Sequence, residues 1–180
     1  MGRVKIGNFA VAAIALALAG CAAGVKGTPG MKLYSAGDYD TAVPLLQEEV
    51  AAGEVSARYP LGLAYRDGRV VEQDMRRAEI LLTGAAIDGD PRAVEEIRRM
   101  LREERRCDKD KQLHDMWGSL VMHRNLITGV YELNSAPRVT LRDMAVIYRN
   151  PCEGRPIQEQ AAASLEALSM GSRSVWIFVP

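Results

Sequence analysis

Apolar residues recur at helical spacing along most of the chain. Ala42, Leu45 and Leu46 stand at positions i, i+3 and i+4, which share one face of an α-helix. The same three residue types return 36 positions later, within residues 78–82. An interval of this length is typical of stacked pairs of helices. The pattern therefore predicts an all-α fold in which a helical unit is repeated.

Turn and cap residues place the boundaries of this unit. Gly53 and Gly89 fall where each repeated helix has to end, because glycine readily adopts the left-handed conformation that closes a helix. In the first copy the next helix is predicted to follow Ser56. In the second copy it is predicted to follow Asp90 and Pro91, an N-cap residue and a first-turn proline.

Two further features concern the helices of the repeats. Pro44 lacks a backbone donor, so the helix that contains it is expected to be either kinked or short. The last repeat helix, residues 92–106, is predicted to carry an apolar inner stripe and a charged, solvated outer face. The stripe comprises Ala93, Val94, Ile97, Met100 and Leu101.

The second copy carries a longer pattern of small, apolar and turn residues: Ala57, Leu61, Gly62, Tyr65, Gly68, Val71, Asp74, Ala78, Ala85, Ala86, Gly89 and Ala93. In order and spacing these residues resemble the Sel1-like repeat, a relative of the tetratricopeptide repeat, and the first copy is more tetratricopeptide-like. The resemblance implies a short helical-repeat solenoid over residues 31–106. Fewer than three full repeats need a cap, because each helical pair buries its apolar face only by stacking on the next.

The C-terminal region, residues 107–180, is predicted to supply the cap as further helices. Apolar positions within residues 111–134 indicate one long helix, weakened by Gly118 and a later glycine. A capping box of Thr140 and Asp143 predicts the start of a second helix.

A third helix and an extended tail are predicted to complete this region. The helix begins with Pro156 and runs through Ile157, Ala161, Leu165 and Leu168. Residues 175–179 form a β-prone apolar run that could be a strand, a strap filling a groove of its own domain, or an addition to a partner's sheet. Trp117 and Trp176 are interpreted as core residues rather than ligand platforms.

The N-terminal segment has the pattern of an export signal. Residues 1–20 combine a positively charged start, an apolar run too short for a membrane span and an end of small residues, so they are predicted to be a signal peptide. The closing Leu-Ala-Gly-Cys resembles the bacterial lipobox. That resemblance implies that Cys21 becomes the first mature residue and carries a diacylglycerol; the alternative is an ordinary signal peptide.

The lipobox resemblance also implies a location. Ala22, rather than aspartate, follows the cysteine, which by resemblance favours the outer membrane of a two-membrane bacterium, facing the periplasm. The acyl chains on Cys21 would make the membrane a permanent partner, because two chains anchor stably. Residues 21–30 lack apolar periodicity and are interpreted as the lipidated tether.

Composition indicates a packed domain and argues against a nucleic-acid partner. The chain has 180 residues, 48% of them hydrophobic, which is enough for a packed domain. Its 23 basic residues balance 23 acidic ones, so no single-sign field attracts nucleic acid, and no nucleic-acid partner is predicted.

The two remaining cysteines, Cys107 and Cys152, are predicted to form a disulfide, since an even pair in an oxidising compartment tends to be bonded. The alternative is two buried thiols. A zinc site with His114 and His123 is not predicted, because nine residues along one helix place the two histidines on opposite sides. No metal and no cofactor are expected.

No catalytic motif occurs in the chain, so an enzyme is not predicted. Asp108 and Asp110 alternate with lysines and are interpreted as a charged cap or loop. As a family, Sel1-like proteins serve as adaptors in multiprotein complexes, and some outer-membrane members organise exopolysaccharide export. The resemblance therefore implies a lipid-anchored periplasmic adaptor that binds an envelope protein.

The predicted partner-binding residues are Tyr34, Tyr59, Tyr65 and Arg66, since four of the six tyrosines lie between residues 34 and 65. The alternative for the tyrosines is packing between helices, which is favoured for Tyr65. The alternative function is an envelope protein that binds or modifies cell-wall glycan through the region from residue 111 onward.

Overall fold

The computed structural model describes residues 27–120, 123–124, 131–132 and 138–171. This part of the chain is helical apart from one antiparallel pair of short strands, β1 (His123–Arg124) and β2 (Tyr131–Glu132), so the predicted all-α class is confirmed. None of the described helices combines the length and the apolar character that a membrane span requires. The α-helices are α1 (Pro29–Ala36), α2 (Tyr39–Ala51), α3 (Arg58–Asp67), α4 (Met75–Ile87), α5 (Pro91–Glu103), α6 (Asp108–Ser119), α7 (Arg138–Arg149) and α8 (Glu159–Ser169).

Helices α2 and α4 repeat the same local structure 36 residues apart. Each has 13 residues. The carboxylates of Asp38 and Asp74 accept hydrogen bonds from the third backbone N–H of their helices, at 3.3 and 3.0 Å. Gly53 and Gly89 both adopt positive φ angles, of 90° and 97°, just after these helices end. Local capping chemistry is therefore sufficient to set both ends of each helix.

The first copy tests two expectations. Helix α2 continues through Pro44 over 13 residues, so the alternative of a short helix is excluded; the proline lies on the exposed face, away from the packed core. Helix α3 begins at Arg58, after Ser56 as predicted, and a short 3₁₀ turn, Val55–Ala57, leads directly into it.

The core has two clusters that meet at α4. The smaller cluster joins α2, α3 and α4 and includes Leu46 and Ala78. The larger cluster joins α4 to α8 and includes Leu82 and Trp117, which confirms Trp117 as a core residue. The predicted inner stripe of α5 is also confirmed, since all five of its residues are buried. Helix α4 is thus buried on both sides.

Helix α6 is shorter than predicted. It ends at Ser119, and Leu120 follows with an extended backbone and a side chain that is 8% exposed. Residues 123–124 then pair with residues 131–132 as strands. The prediction of one helix over 111–134 is therefore wrong. The chain leaves the helix because Leu120 reaches the core by extending rather than by completing another turn, and Gly118 in the last turn weakens continuation.

The start points of the last two helices are also corrected. Helix α7 begins at Arg138, so Thr140 lies inside its first turn rather than at its cap. Helix α8 begins at Glu159, after the N-cap Gln158, so Pro156 precedes the helix. Ile157 also precedes the helix, and it is 63% exposed.

A disulfide and a buried ion cluster connect the segment between α7 and α8 to α4 and to the start of α6. Cys107, before α6, is bonded to Cys152, after α7, with Cα atoms 5.9 Å apart. Arg155 donates from Nε to Asp110 Oδ1 at 2.8 Å and from Nη1 to Glu79 Oε2 at 2.9 Å. Asp110 lies in the first turn of α6, where the sequence predicts a charged cap or loop, but its side chain is 1% exposed.

Candidate functional site

Tyr65 is the point where α2, α3 and α4 meet. The residue is 9% exposed, and its hydroxyl oxygen accepts hydrogen bonds from Gln47 Nε2 at 3.1 Å and from Arg77 Nη1 at 3.3 Å. The Arg77 guanidinium also lies 5.4 Å from the centre of the Tyr65 ring. One tyrosine side chain thus fixes polar groups from two neighbouring helices at the protein surface.

Two adjoining clefts open around these three side chains. One has a volume of about 440 Å³ and its other lining residues are apolar; the second, of about 610 Å³, is mainly polar. Gln47, Tyr65 and Arg77 line both clefts, which we together call the Tyr65 groove. The apolar cleft is completed by Val50, Ala51, Leu61, Ile80 and Leu81.

Ile80 is an exposed large apolar residue of the groove. It is 38% exposed on α4, whereas its neighbour Leu81 is 7% exposed. Neither Ile80 nor the polar pair Gln47 and Arg77 was predicted as a site residue. Ile80 lies off the helix face that Ala78, Leu81 and Leu82 share, and an apolar residue away from that face is the signal that could have found it.

Arg66 lies in a neighbouring polar cleft of about 550 Å³. Its guanidinium pairs with Asp67 at 2.6 Å and with Glu96 at 2.5 Å, and Glu96 also accepts from Arg99 at 2.8 Å. The hydrogen bond from Arg66 lowers the pKa of Asp67. Gln73, which donates to the Arg66 carbonyl at 2.8 Å, lines this cleft as well as the polar half of the Tyr65 groove.

The other two predicted tyrosines lie elsewhere. The Tyr34 ring packs edge-on against Tyr39 with centroids 4.9 Å apart, and Arg92 lies 4.4 Å from the centre of the Tyr59 ring. Burial raises the pKa of both Tyr34 and Tyr59. The structure therefore brings Tyr65 and Arg66 to adjoining clefts and places Tyr34 and Tyr59 outside the lining of either one.

No model of a known protein family, no curated protein and no solved structure matches this chain. Function is therefore inferred from the geometry of the Tyr65 groove and from the residues of the N-terminal segment.

The buried ion cluster is a structural feature that the sequence pattern did not indicate. Two carboxylates, Glu79 and Asp110, surround one guanidinium, and burial raises the pKa of Glu79. Gln158 Nε2 also donates to Glu79 Oε1 at 3.3 Å. These contacts join α4 and α6 to the segment before α8.

The remaining candidate residues are placed as follows. Cys21, Trp176 and the run 175–179 lie outside the described residues, as does the side chain of His123. Within residues 27–120 and 138–171, no group of three or more His, Cys, Asp or Glu side chains is arranged to hold a metal ion.

Proposed function

We propose that the protein is a lipid-anchored periplasmic adaptor that binds a partner protein through the Tyr65 groove. The observation that carries this proposal is the groove itself: an apolar cleft about 440 Å³ in volume, next to side-chain donors held by Tyr65. An apolar surface with a few placed polar groups is the usual composition of a binding site. No catalytic arrangement is needed for this role.

The polar groups of the groove suit a polypeptide partner. Gln47 and Arg77 carry N–H donors, and their hydrogen bonds to the Tyr65 hydroxyl hold them beside the apolar cleft. A peptide laid in the groove would bury aliphatic side chains on Ile80 and present backbone carbonyls to these donors. Burial of apolar surface in the groove would then contribute to affinity, and the hydrogen bonds would fix the orientation of the peptide.

The repeated helices support the adaptor class. The matching lengths and caps of α2 and α4 agree with a Sel1-like or tetratricopeptide-like repeat over residues 31–106, with the helices from residue 107 onward as its cap. Adaptors of this kind assemble multiprotein complexes, and in the bacterial envelope exopolysaccharide export is the process that we propose.

The membrane anchor explains how modest recognition would suffice. Acylated Cys21 would hold the protein at the outer membrane, and the tether would keep the helical domain within about 20 Å of the lipid surface. The tether is shorter than the predicted 21–30, because α1 begins at Pro29 with Thr28 as its N-cap. A partner in the same membrane then meets the groove at a raised effective concentration, without any additional contact.

Capture of partners from native membranes in mild detergent tests the binding site. The matched variants are Ile80→Asp, in the groove, and Val146→Asp, on α7, where Val146 is a 62% exposed aliphatic residue. We expect a stoichiometric protein that Val146→Asp retains and Ile80→Asp loses. If Ile80→Asp still captures the protein, or if both variants lose it equally, the groove is not the partner site.

Two further measurements test the rest of the proposal. The mature N-terminal peptide should carry the mass of the acyl chains, and Cys21→Ala should give soluble or uncleaved protein; an unmodified peptide mass contradicts the anchor. Incubation with peptidoglycan fragments tests the glycan alternative, since turnover or saturable binding would contradict a protein adaptor.

A further inference from the structure

The segments around Cys107 and Cys152 are joined by noncovalent contacts as well as by the disulfide. We propose that the bond forms after the chain has folded, that Cys107 is the thiol that first reacts with a disulfide oxidant, and that buried Cys152 completes the bond. In this proposal Asp110 and Arg155 hold Cys152 in position for the second step. The inference concerns this chain alone and is independent of the proposed function.

Each cysteine begins a turn whose fourth residue belongs to the buried ion cluster. The Cys107 carbonyl accepts a hydrogen bond from the backbone N–H of Asp110 at 3.2 Å. The Cys152 carbonyl accepts one from the backbone N–H of Arg155 at 3.1 Å. The side chains of Asp110 and Arg155 then pair at 2.8 Å, and each is 1% exposed. The ion pair therefore holds the two turns together independently of the sulfur–sulfur bond.

Further contacts bring the same two segments together at the surface. Lys109 Nζ donates to the Asn150 carbonyl at 2.6 Å. A methyl group built on Gly154 would lie 2.9 Å from Nη1 of Arg106, so the second turn lies directly against the segment before α6. No sulfur atom takes part in these contacts. In the folded, reduced chain they bring the thiols together more effectively than a flexible chain does, for which effective concentrations are about 1 mM or less.

The two thiols differ in access to an oxidant. Cys107 is partly exposed, whereas Cys152 is buried, with 4% exposed. The rate of thiol–disulfide exchange depends on whether the attacking sulfur can reach its target. In the folded chain an oxidant therefore meets Cys107 first, and Cys152 reacts with the sulfur of Cys107.

With oxidised glutathione as the oxidant, the bond forms in two exchange steps. The Cys107 thiol loses its proton to water, and its thiolate attacks one sulfur of the oxidant, whose sulfur–sulfur bond breaks to release one glutathione thiolate. The Cys152 thiol also loses its proton, and its thiolate attacks the Cys107 sulfur and releases the second glutathione. The two cysteines lose two electrons, which reduce oxidised glutathione to two molecules of glutathione. Asp110 and Arg155 are positioning residues for the second step.

Reaction of the purified, reduced protein with oxidised glutathione, stopped with acid, tests the order of the steps. The protein is reduced in urea, refolded with reductant and freed of it before the oxidant is added, and peptide mapping assigns each adduct. We expect Cys152→Ser to form an adduct on Cys107 at least about tenfold faster than Cys107→Ser forms one on Cys152. In denaturing urea the two rates should agree within about twofold, because neither thiol is then buried.

The variant Asp110→Asn tests the positioning role, because it keeps the size of the side chain and removes the charge that faces Arg155. A high glutathione concentration accelerates only the bimolecular first step, so the second step can be followed as conversion of the Cys107 adduct to the disulfide. We expect this conversion to slow about tenfold while the first step is unchanged. The control Asp108→Asn, at a side chain that is 90% exposed, should change neither step.

Several results would overturn the proposal. A reduced chain without a cooperative urea transition would show that the bond is needed for folding. Equal rates at the two cysteines in the folded protein, or a faster rate at Cys152, would contradict the order. Equal second-step rates in Asp110→Asn and Asp108→Asn would contradict the positioning role. If Asp110→Asn does not fold, Lys109→Met replaces it; loss of its contact with the Asn150 carbonyl should slow the second step about threefold, and no slowing would count against positioning.

Discussion

Arg155 joins three separate parts of the described chain through buried polar contacts. Its side chain is 1% exposed and bridges Glu79 of α4 and Asp110 of α6, and it also donates to the Glu104 carbonyl at 3.2 Å. Such a cluster is tolerable in a core only when its partners are complete, since an unpaired buried charge is costly. Sequence reasoning missed it because Asp110 stands among alternating aspartates and lysines, and its cation, Arg155, is 45 residues away in the chain.

Removing the guanidinium should therefore destabilise the protein strongly. Arg155→Met leaves Glu79 and Asp110 buried together without their cation, and we expect a loss of about 3–5 kcal/mol in the free energy of unfolding. Urea denaturation measures this loss. The control is Arg102→Met, whose side chain is 59% exposed and 3.9 Å from Glu103; it should cost less than about 1 kcal/mol. Equal losses in the two variants would contradict the structural role of the cluster.

Asp88 gives the stability a distinctive pH dependence. It pairs with Arg58, but burial raises its pKa to about 6 against the lowering effect of that cation. A carboxyl with a raised pKa binds its proton more tightly in the folded state, so it stabilises the fold at low pH and loses that contribution as the pH rises through about 4 to 6.

The comparison with Asp88→Asn isolates this effect. The free energy of unfolding of the wild type, minus that of the variant, should fall by about 2 kcal/mol between pH 4 and pH 7, because a tenfold difference in proton affinity between the folded and unfolded states is worth about 1.4 kcal/mol. Urea denaturation at both pH values measures it. A difference that rises with pH would show instead that the ion pair with Arg58 dominates and that the pKa is lowered.

At the scale of the elements, the contact between α3 and α4 depends on one glycine. A methyl group built on Gly62 would lie 2.8 Å from Cγ of Leu82, and Leu82 is itself fully buried. The helices approach so closely because Gly62 has no side chain. Gly62 is one of the residues that carry the resemblance to the repeat, and the close approach of α3 to α4 explains why glycine is needed there.

Gly62→Ala should therefore destabilise the fold despite the better helix propensity of alanine. We expect a net loss of about 1–2 kcal/mol, since overpacking costs about 1–3 kcal/mol and the propensity gain is up to about 1 kcal/mol. The matched control is Gly118→Ala in α6, where the nearest atoms belong to the movable end of Arg98 at 3.1 Å. That variant should be neutral or slightly stabilising in urea denaturation. A stabilising effect of Gly62→Ala would contradict the close approach.

The disulfide connects the segment before α6 to the segment after α7. Cys107 and Cys152 are 45 residues apart, and closing a loop of that length stabilises the fold by about 4 kcal/mol, because it lowers the entropy of the unfolded chain. Reductant should lower the urea midpoint of the wild type and leave a Cys107→Ser, Cys152→Ser double variant unchanged. Peptide mapping without reductant identifies the bond directly, and free thiols on both residues would refute it.

Helices α2 and α4 could be predicted from sequence, whereas the bounds of the C-terminal helices could be predicted only roughly, for a physical reason. Asp38, Asp74 and Gly89 act on backbone groups within a few residues, so the ends of α2 and α4 are encoded locally. Helix α6 ends where Leu120 enters the core between elements distant in sequence, which no local periodicity reveals. The candidate site followed the same division: Tyr65 belongs to the repeat pattern, whereas Gln47 and Ile80 become a site only when α2 and α4 pack together.

At the scale of the whole molecule, α4 contributes residues both to the buried ion cluster and to the Tyr65 groove. One side of the helix places Glu79 in the ion cluster with the C-terminal region, and the adjoining side presents Arg77 and Ile80 to the groove. The C-terminal helices thus pack against the helix that carries part of the proposed binding surface. The proposed acyl anchor on Cys21 lies at the other end of the chain and would supply location rather than recognition.

The affinity of the captured partner for the groove is the most direct test of this account. Titration calorimetry with the purified partner compares the wild type with Ile80→Asp and Val146→Asp. A central contact is worth about 2 kcal/mol or more, so Ile80→Asp should raise the Kd about 30-fold, while Val146→Asp leaves it unchanged. The same Kd for Ile80→Asp and the wild type would contradict the Tyr65 groove as the site where this protein binds its partner.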